Sequence, residues 1–139
     1  MTNREARGVQ AVESETATPR SGIDGRELII RHFDLIDAGE MDTVARLYEP
    51  DAVYQRPGYP DFLGRTAILR FYTELRPIRN GRHSLEAVIQ SGAEIAVRGG
   101  FSGVLHDGGR VDLRFSDFFE LGPRGWFTRR ETFFCAPLT

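Results

Sequence analysis

Asp117 stands in the run Val111 to Phe119, where the alternation of a strand puts it on one face with Val111, Leu113, Phe115 and Phe119 and turns Asp112, Arg114, Ser116, Phe118 and Glu120 to the other. A carboxyl desolvated among such side chains rises in pKa and becomes a proton donor, whereas an arginine within reach keeps it ionised. The competing reading is a structural Asp–Arg pair that ties two strands. His83 follows Asn80-Gly81-Arg82 at the head of a strand-like run, where an imidazole in a pocket wall can take and return a proton near neutral pH. Tyr54, Arg56 and Tyr59 surround the Pro57-Gly58 turn, and alternation gives Tyr54 and Arg56 a common face from which phenol and guanidinium can donate to a carbonyl or a developing oxyanion. Against these stand plainer roles: a strand-end histidine, aromatics packing a turn, an arginine in a structural ion pair. Tyr72 reads chiefly as a core residue with a wet hydroxyl, and His106, beside Asp107-Gly108-Gly109, as a turn residue.

Several chemistries are excluded. All 18 positive residues are arginine, so Schiff-base and lysine-nucleophile mechanisms have no residue to use. The single cysteine, Cys135, has no partner for an internal disulfide, and the three histidines lack any metal-ligand spacing, so no metal is expected. The glycine pairs Gly99-Gly100 and Gly108-Gly109 lack the strand–loop–helix setting of a phosphate cradle, so no nucleotide or other cofactor is expected. A net charge of −2 with interspersed signs argues against nucleic acid and against a membrane surface. With no long apolar run and no basic-then-apolar leader, the expected location is the cytoplasm.

Residues 1–22, nearly devoid of large apolar side chains, are expected to form a disordered tail, and residues 23–139 one domain. Asp24 with Glu27 forms a capping-box pattern for a helix carrying Leu28, Ile29, Phe33 and Ile36 as far as Ala38-Gly39. Asp42 caps a second, short helix with Val44, Leu47 and Tyr48 on one face, ending before Pro50; Ala52 to Gln55 reads as a strand. Ala67, Ile68, Phe71, Tyr72 and Leu75 mark a third helix that stops near Pro77. Four strands follow, at His83–Gln90, Ile95–Leu105, Arg110–Leu121 and Trp126–Phe134, with Gly99-Gly100 reading as a bend within the second. Helices first and hairpin-linked strands second predict an α+β domain: three N-terminal helices on a curved antiparallel sheet, enclosing an apolar pocket.

This order, with the phrases IDAGEMDTVARLYEPDAVY and LRFSDFFELGPRGWFTRRETFF, resembles the nuclear transport factor 2-like superfamily over about residues 24 to 136, and within it the SnoaL-like proteins and ketosteroid isomerases. The resemblance implies a cone-shaped fold. Laid on the isomerase pattern, the oxyanion-hole aspartic acid falls on Asp117, the general-base aspartate on Arg56 and the oxyanion tyrosine on His32. A guanidinium is no base near neutral pH, so the resemblance points away from steroid isomerisation and towards the superfamily's cyclases, hydrolases and dehydratases. If the register of the last strand follows the isomerase pattern, Arg130, Thr132 and Phe134 join the Asp117 face and Glu131 turns away; a slip of one residue exchanges Arg130 for Glu131.

The expected function is therefore cofactor-independent acid–base chemistry on an apolar molecule of the polyketide or terpenoid kind: cyclisation, isomerisation, dehydration or epoxide opening. Asp117 and His83 would share proton transfer, and Arg56, Arg130, Tyr54 or His32 would stabilise negative charge on oxygen. Tyr59, Tyr72, Phe71, Phe115, Phe119, Phe134 and Trp126 are the expected contacts for the substrate's apolar body. The alternative is a non-catalytic ligand-binding or dimerisation module. Either way a homodimer through the outer sheet face, which carries Phe118, is expected.

Overall fold

The computed structural model describes residues 24–136, so the tail expected over 1–22 and the outermost domain residues lie outside the described residues. Helix α1 (Gly25–Asp37) starts where the Asp24 carboxylate accepts the Arg26 N–H at 3.0 Å. It ends where Gly39, at φ 78, takes the left-handed turn that lets Gly39 N–H reach the Ile36 carbonyl and Glu40 N–H the Leu35 carbonyl. Leu28, Ile29, Phe33 and Ile36 are buried on one stripe as the spacing predicts, each contributing about 1.5–3 kcal/mol, and His32 is buried with them.

Helix α2 (Met41–Ala45) is shorter than its apolar spacing implies. Leu47 and Tyr48 do not continue it: strand β1 (Tyr48–Gln55) begins four residues earlier than expected. The reason is tertiary, because the Tyr48 phenol is drawn into a buried hydrogen-bond network described below, and Leu47 C=O accepts the Phe127 N–H. A two-residue strand β2 (Phe62–Leu63) follows, then α3 (Arg65–Arg70), which widens into a π-turn over Phe71–Leu75. The wide turn closes through Arg76 N–H to the Phe71 carbonyl and gives way to extended backbone at Arg76, as Pro77 requires.

The remaining strands are β3 (Ile78–Ser91), β4 (Glu94–Leu105), β5 (Arg110–Leu121) and β6 (Phe127–Phe134), in one sheet of order β2-β1-β6-β5-β4-β3. The sheet is mixed, not wholly antiparallel as expected, because β1 lies parallel to β6, with Tyr54 opposite Arg130. Pro50, which has no N–H for a ladder, falls in the gap between the Tyr48 and Val53 pairs. Strand β3 also starts earlier than the expected His83: Asn80, Gly81 and Arg82 are already in the ladder. Gly81 is needed there because a Cβ on it would sit 2.2 Å from the Phe101 ring, which lies over the strand. The bend expected at Gly99-Gly100 is a bulge in the neighbouring strand, between Leu85 and Ala87, and a Cβ on Gly99 would strike the Ser84 carbonyl at 2.3 Å.

The parity read for β5 holds: Phe115, Asp117 and Phe119 are buried while Arg114, Phe118 and Glu120 are exposed. The helices therefore cover one sheet face, and the core between them mixes aromatic with aliphatic side chains. No helix of the described residues is long and apolar enough to cross a membrane.

Candidate functional site

Two polar networks meet on the inner face of the sheet. The first is buried. Thr132 stands opposite Asp117, and Arg130 opposite Phe119, so β6 takes the register that turns Arg130 and Thr132 inward and leaves Glu131 outside. Arg130 Nη2 and Nε donate to Asp117 Oδ2 at 2.8 and 3.2 Å, and the Thr132 hydroxyl donates to Oδ1. Arg130 Nη1 donates to the Tyr72 hydroxyl at 2.6 Å and to the Tyr48 hydroxyl at 3.2 Å. The proton directions follow by elimination. Thr132 donates to the carboxylate, so it accepts from Tyr54 at 2.9 Å, and Tyr54 accepts in turn from Arg56 Nη1 at 2.9 Å. Tyr48 also shares a hydrogen bond with His32 Nε2 at 2.8 Å, and His32 Nδ1 is buried without a partner among the described residues.

Burial sets the charge states here. Desolvation first, then the Arg130 charge, holds His32 well below the usual imidazole pKa, so it is neutral. Desolvation raises the Tyr48 and Tyr54 phenols, opposed by Arg130, so both keep their protons. Burial works against the Arg130 charge, but Asp117 and the surrounding phenol oxygens overcome it and raise its pKa well above the usual value. Three ring faces, of Phe33, Tyr54 and Phe119, lie 4.5–5.5 Å from its guanidinium carbon and add cation–π attraction.

The second network opens on a cleft. His83 Nδ1–H donates to Asp37 Oδ1 at 2.6 Å, and the same carboxylate accepts the His83 backbone N–H at 2.8 Å. An acid in the last turn of α1 opposes the helix dipole, so its place is explained by His83 and not by the helix. This fixes the tautomer: Nδ1 carries the proton and Nε2 is the free base. Desolvation lowers the His83 pKa, with Asp37 pulling it back up and Arg76 and Arg130 pushing it further down. The ring packs among Phe33, Phe101 and Phe115 with centroids 4.7–5.6 Å away.

The cleft beside it holds about 430 Å³ of atom-free space, mouth included, and is narrow. It is open to solvent, and its wall mixes Ile36, Phe101, Leu113 and Phe115 with Tyr72, His83, Arg56, Arg76, Arg130 and Thr132. Tyr72 accepts from Arg130 and so keeps its own O–H to donate into the cleft.

Of the residues singled out from sequence, the cleft brings together His83, Arg56, Arg130, Tyr72, Phe115 and Phe134. Asp117 and Tyr54 lie behind it, one shell back, and act on it through Arg130, Thr132 and Arg56. His32 is 0% exposed and does not line it. Phe71 and Phe119 are core, Tyr59 packs on Phe62 and Phe71, and Trp126 sits 36% exposed at the turn before β6, so none of these four lines the cleft. Sequence reasoning missed Asp37, Arg76 and Tyr48. The only signal for Asp37 was an acid at a helix C-terminus, where a cation is favoured. Among the described residues no three His, Cys, Asp or Glu side chains converge as a metal site would need.

Residues 29–128 match the SnoaL-like domain family, and the chain belongs to it. No protein of curated function matches by sequence. Among solved structures, one similar fold is SalBIII, an epoxide hydrolase/cyclase-like enzyme with a role in pyran ring formation in the polyether salinomycin; it is 17% identical, with 79% of this chain and 89% of that one covered at a TM-score of 0.70. A second is an NTF2-like protein of unknown function from Burkholderia pseudomallei K96243, 17% identical over 81% of this chain and 92% of the other, TM-score 0.72. A third, named as a SnoaL-like polyketide cyclase, is from Jannaschia sp. CCS1, 21% identical over 84% and 90%, TM-score 0.69. At these identities the likeness is one of fold, and the chain has the nuclear transport factor 2-like α+β architecture.

Proposed function

We propose that the protein is a cofactor-independent acid–base enzyme of small-molecule metabolism, working in the cytoplasm on an oxygenated, largely apolar compound of the polyketide or terpenoid kind. The observation that carries this reading is the Asp37–His83 pair, whose free Nε2 belongs to a ring lining a cleft that Tyr72, Arg56 and Arg130 also line. In this scheme His83 Nε2 takes a proton from a substrate C–H or O–H, and the released electron pair moves onto a substrate oxygen that Tyr72 holds by a hydrogen bond. Asp37 balances the imidazolium that forms. The proton then returns to a different substrate atom: to carbon in an isomerisation, to a leaving hydroxyl in a dehydration, or to an epoxide oxygen as its C–O bond breaks under attack by the deprotonated hydroxyl, which forms the new C–O bond. Asp117 is a positioning residue here, since its two oxygens are taken up by Arg130 and Thr132. The likeness to SalBIII favours the last of these outcomes.

A second reading has one observation in its favour: the cleft's narrowness suits a module whose pocket is incidental. Under both readings we place a second copy of the chain on the outer sheet face, where Phe118 and Phe133 form a T-shaped pair, 52% and 47% exposed. Light scattering of the full chain tests this, with Phe118→Glu expected to shift a dimer to monomer. Residues 23–139 form the working unit in this scheme, with 1–22 dispensable.

The enzyme reading is tested by incubating wild type and His83→Gln with a library of polyketide and terpenoid intermediates and following each compound by mass spectrometry and each protein by thermal shift. Conversion by the wild type, with binding but no conversion by the variant, supports it. Equal binding by both with no conversion by either transfers support to the module.

A further inference from the structure

The cleft wall carries more positive charge than its own carboxylates answer. Arg130 is matched by Asp117 and His83 is held by Asp37, which uses both carboxylates of the two networks. Arg56 and Arg76 remain, and among the described residues neither makes an ion pair. Both are half-buried. Arg56 donates once, to the Tyr54 hydroxyl, and Arg76 has no side-chain hydrogen bond among the described residues.

Both are nonetheless held in place, by rings rather than by acceptors. The Arg56 guanidinium carbon lies 4.9 Å from the Phe71 ring centre and 5.0 Å from that of Phe134; that of Arg76 lies 5.6 Å from both Tyr72 and Phe101. Stacking fixes a guanidinium's plane while leaving its edge N–H groups unspent. Holding such groups partly out of water is costly: burial, with the nearby charges of Arg56 and Arg130 adding to it, lowers the pKa of Arg76. An arrangement of two ordered, unanswered guanidiniums in the wall of one partly aromatic cleft is complementary to a planar anion with two oxygens, because the N–H fork matches a carboxylate's geometry and the low local dielectric strengthens the attraction.

We propose that the ligand of this cleft is an organic carboxylate, its anionic end held by Arg56 and Arg76 and its apolar body lying against Phe101, Leu113, Phe115 and Phe134. This deepens the functional reading above and rests on it for the location of the site. The substrate is then amphipathic, and its carboxylate is a fixed handle that carries the reacting carbon or oxygen to His83 Nε2; the carboxylate itself is not consumed.

The test is a binding comparison on the full chain with two near-isosteric probes, 2-naphthoate and the neutral 2-naphthamide, by calorimetry or ligand-observed NMR. Naphthoate is expected to bind about tenfold or more tightly than the amide, about 1.4 kcal/mol, with the preference shrinking between about 0.05 and 0.5 M salt. Arg76→Gln and Arg56→Gln should each reduce the preference, whereas Arg82→Gln, an exposed arginine outside this cleft, should keep it. Arg76→Gln removes no hydrogen bond to a described residue, so its melting temperature should stay near that of the wild type and a lost preference is not a folding defect. Equal affinity for the two probes, no binding of naphthoate up to about 10 mM, or a preference that survives in both arginine variants overturns the proposal. The two readings fail separately: His83→Gln should abolish conversion and leave naphthoate binding intact. Selective binding without turnover of any compound would leave the carboxylate site standing and remove the enzyme, and turnover of neutral compounds alone would do the reverse.

Discussion

The lattice around Arg130 and the pair formed by Asp37 and His83 are built from similar groups within one small domain, yet they differ in what they have left to give. In the lattice almost every donor has an acceptor: Arg56 feeds Tyr54, Tyr54 feeds Thr132, Thr132 feeds Asp117, and Arg130 clamps Asp117 while donating to Tyr48 and Tyr72. A buried network so completely satisfied is rigid, and breaking it is costly. In the Asp37–His83 pair one imidazole nitrogen is spent and the other is free on a ring that lines the cleft. The difference teaches that burial and an acid on an apolar face do not by themselves make a reactive group. What matters is an unspent lone pair or proton where a ligand can reach it.

The largest effect should come from His83→Gln, which removes the free base: turnover is expected to fall about 10²- to 10⁴-fold with a melting temperature close to wild type, as steady-state kinetics and thermal unfolding would show. A large loss of stability instead would place His83 with the lattice. The converse break is Asp117→Leu, which strands a buried Arg130 and should cost about 3–5 kcal/mol in urea unfolding. Adding Arg130→Met should restore much of that stability, since no unpaired charge is then left inside.

Asp37→Asn gives a smaller, more diagnostic change. Turnover should drop about 10- to 100-fold, and because Asp37 pulls the His83 pKa upward, its loss should move the acid limb of the pH–rate profile to lower pH. A purely structural Asp37 would lower activity without moving that limb. The smallest effect concerns stability in mild acid. His32 and His83 both have folded pKa values depressed below those of the unfolded chain. The stability each contributes is therefore complete above about pH 6.5 and is lost as pH falls, because the unfolded chain takes up the proton first, at about 1.4 kcal/mol per pH unit for each histidine still neutral in the fold. His32→Phe should reduce that slope, read as unfolding midpoints between about pH 5 and 7.

Much of the lattice was legible in the sequence, because strand parity is local: alternation alone put Asp117 inward, and one register of the last strand put Arg130 and Thr132 beside it. The reactive pair was only half legible. Asp37 and His83 are 46 residues apart, and an acid next to Ala38-Gly39 reads as the end of a helix until the fold brings β3 against it. Arg76 carries no local signal, since nothing in the sequence before Pro77 announces the π-turn that ends at Leu75. Tyr48 fitted the helical spacing of Val44 well enough to be given to α2, and only the parallel pairing of β1 with β6, a contact between distant segments, moves it into a strand. Trp126 and Phe119 read from sequence as ligand contacts because large aromatics suit either a pocket or a core, and the choice depends on which end of the sheet the helices leave open.

The central claim is that His83 carries the available base and His32 does not, and imidazole nitrogen NMR of the full chain titrated from about pH 5 to 8 reads it directly. The account predicts that His83 is the Nδ1–H tautomer and titrates at Nε2 with a pKa below about 6.5, shifting when a cleft ligand is added, while His32 stays neutral throughout. A His83 that holds its proton on Nε2, or a His32 that titrates with ligand while His83 does not, would contradict it.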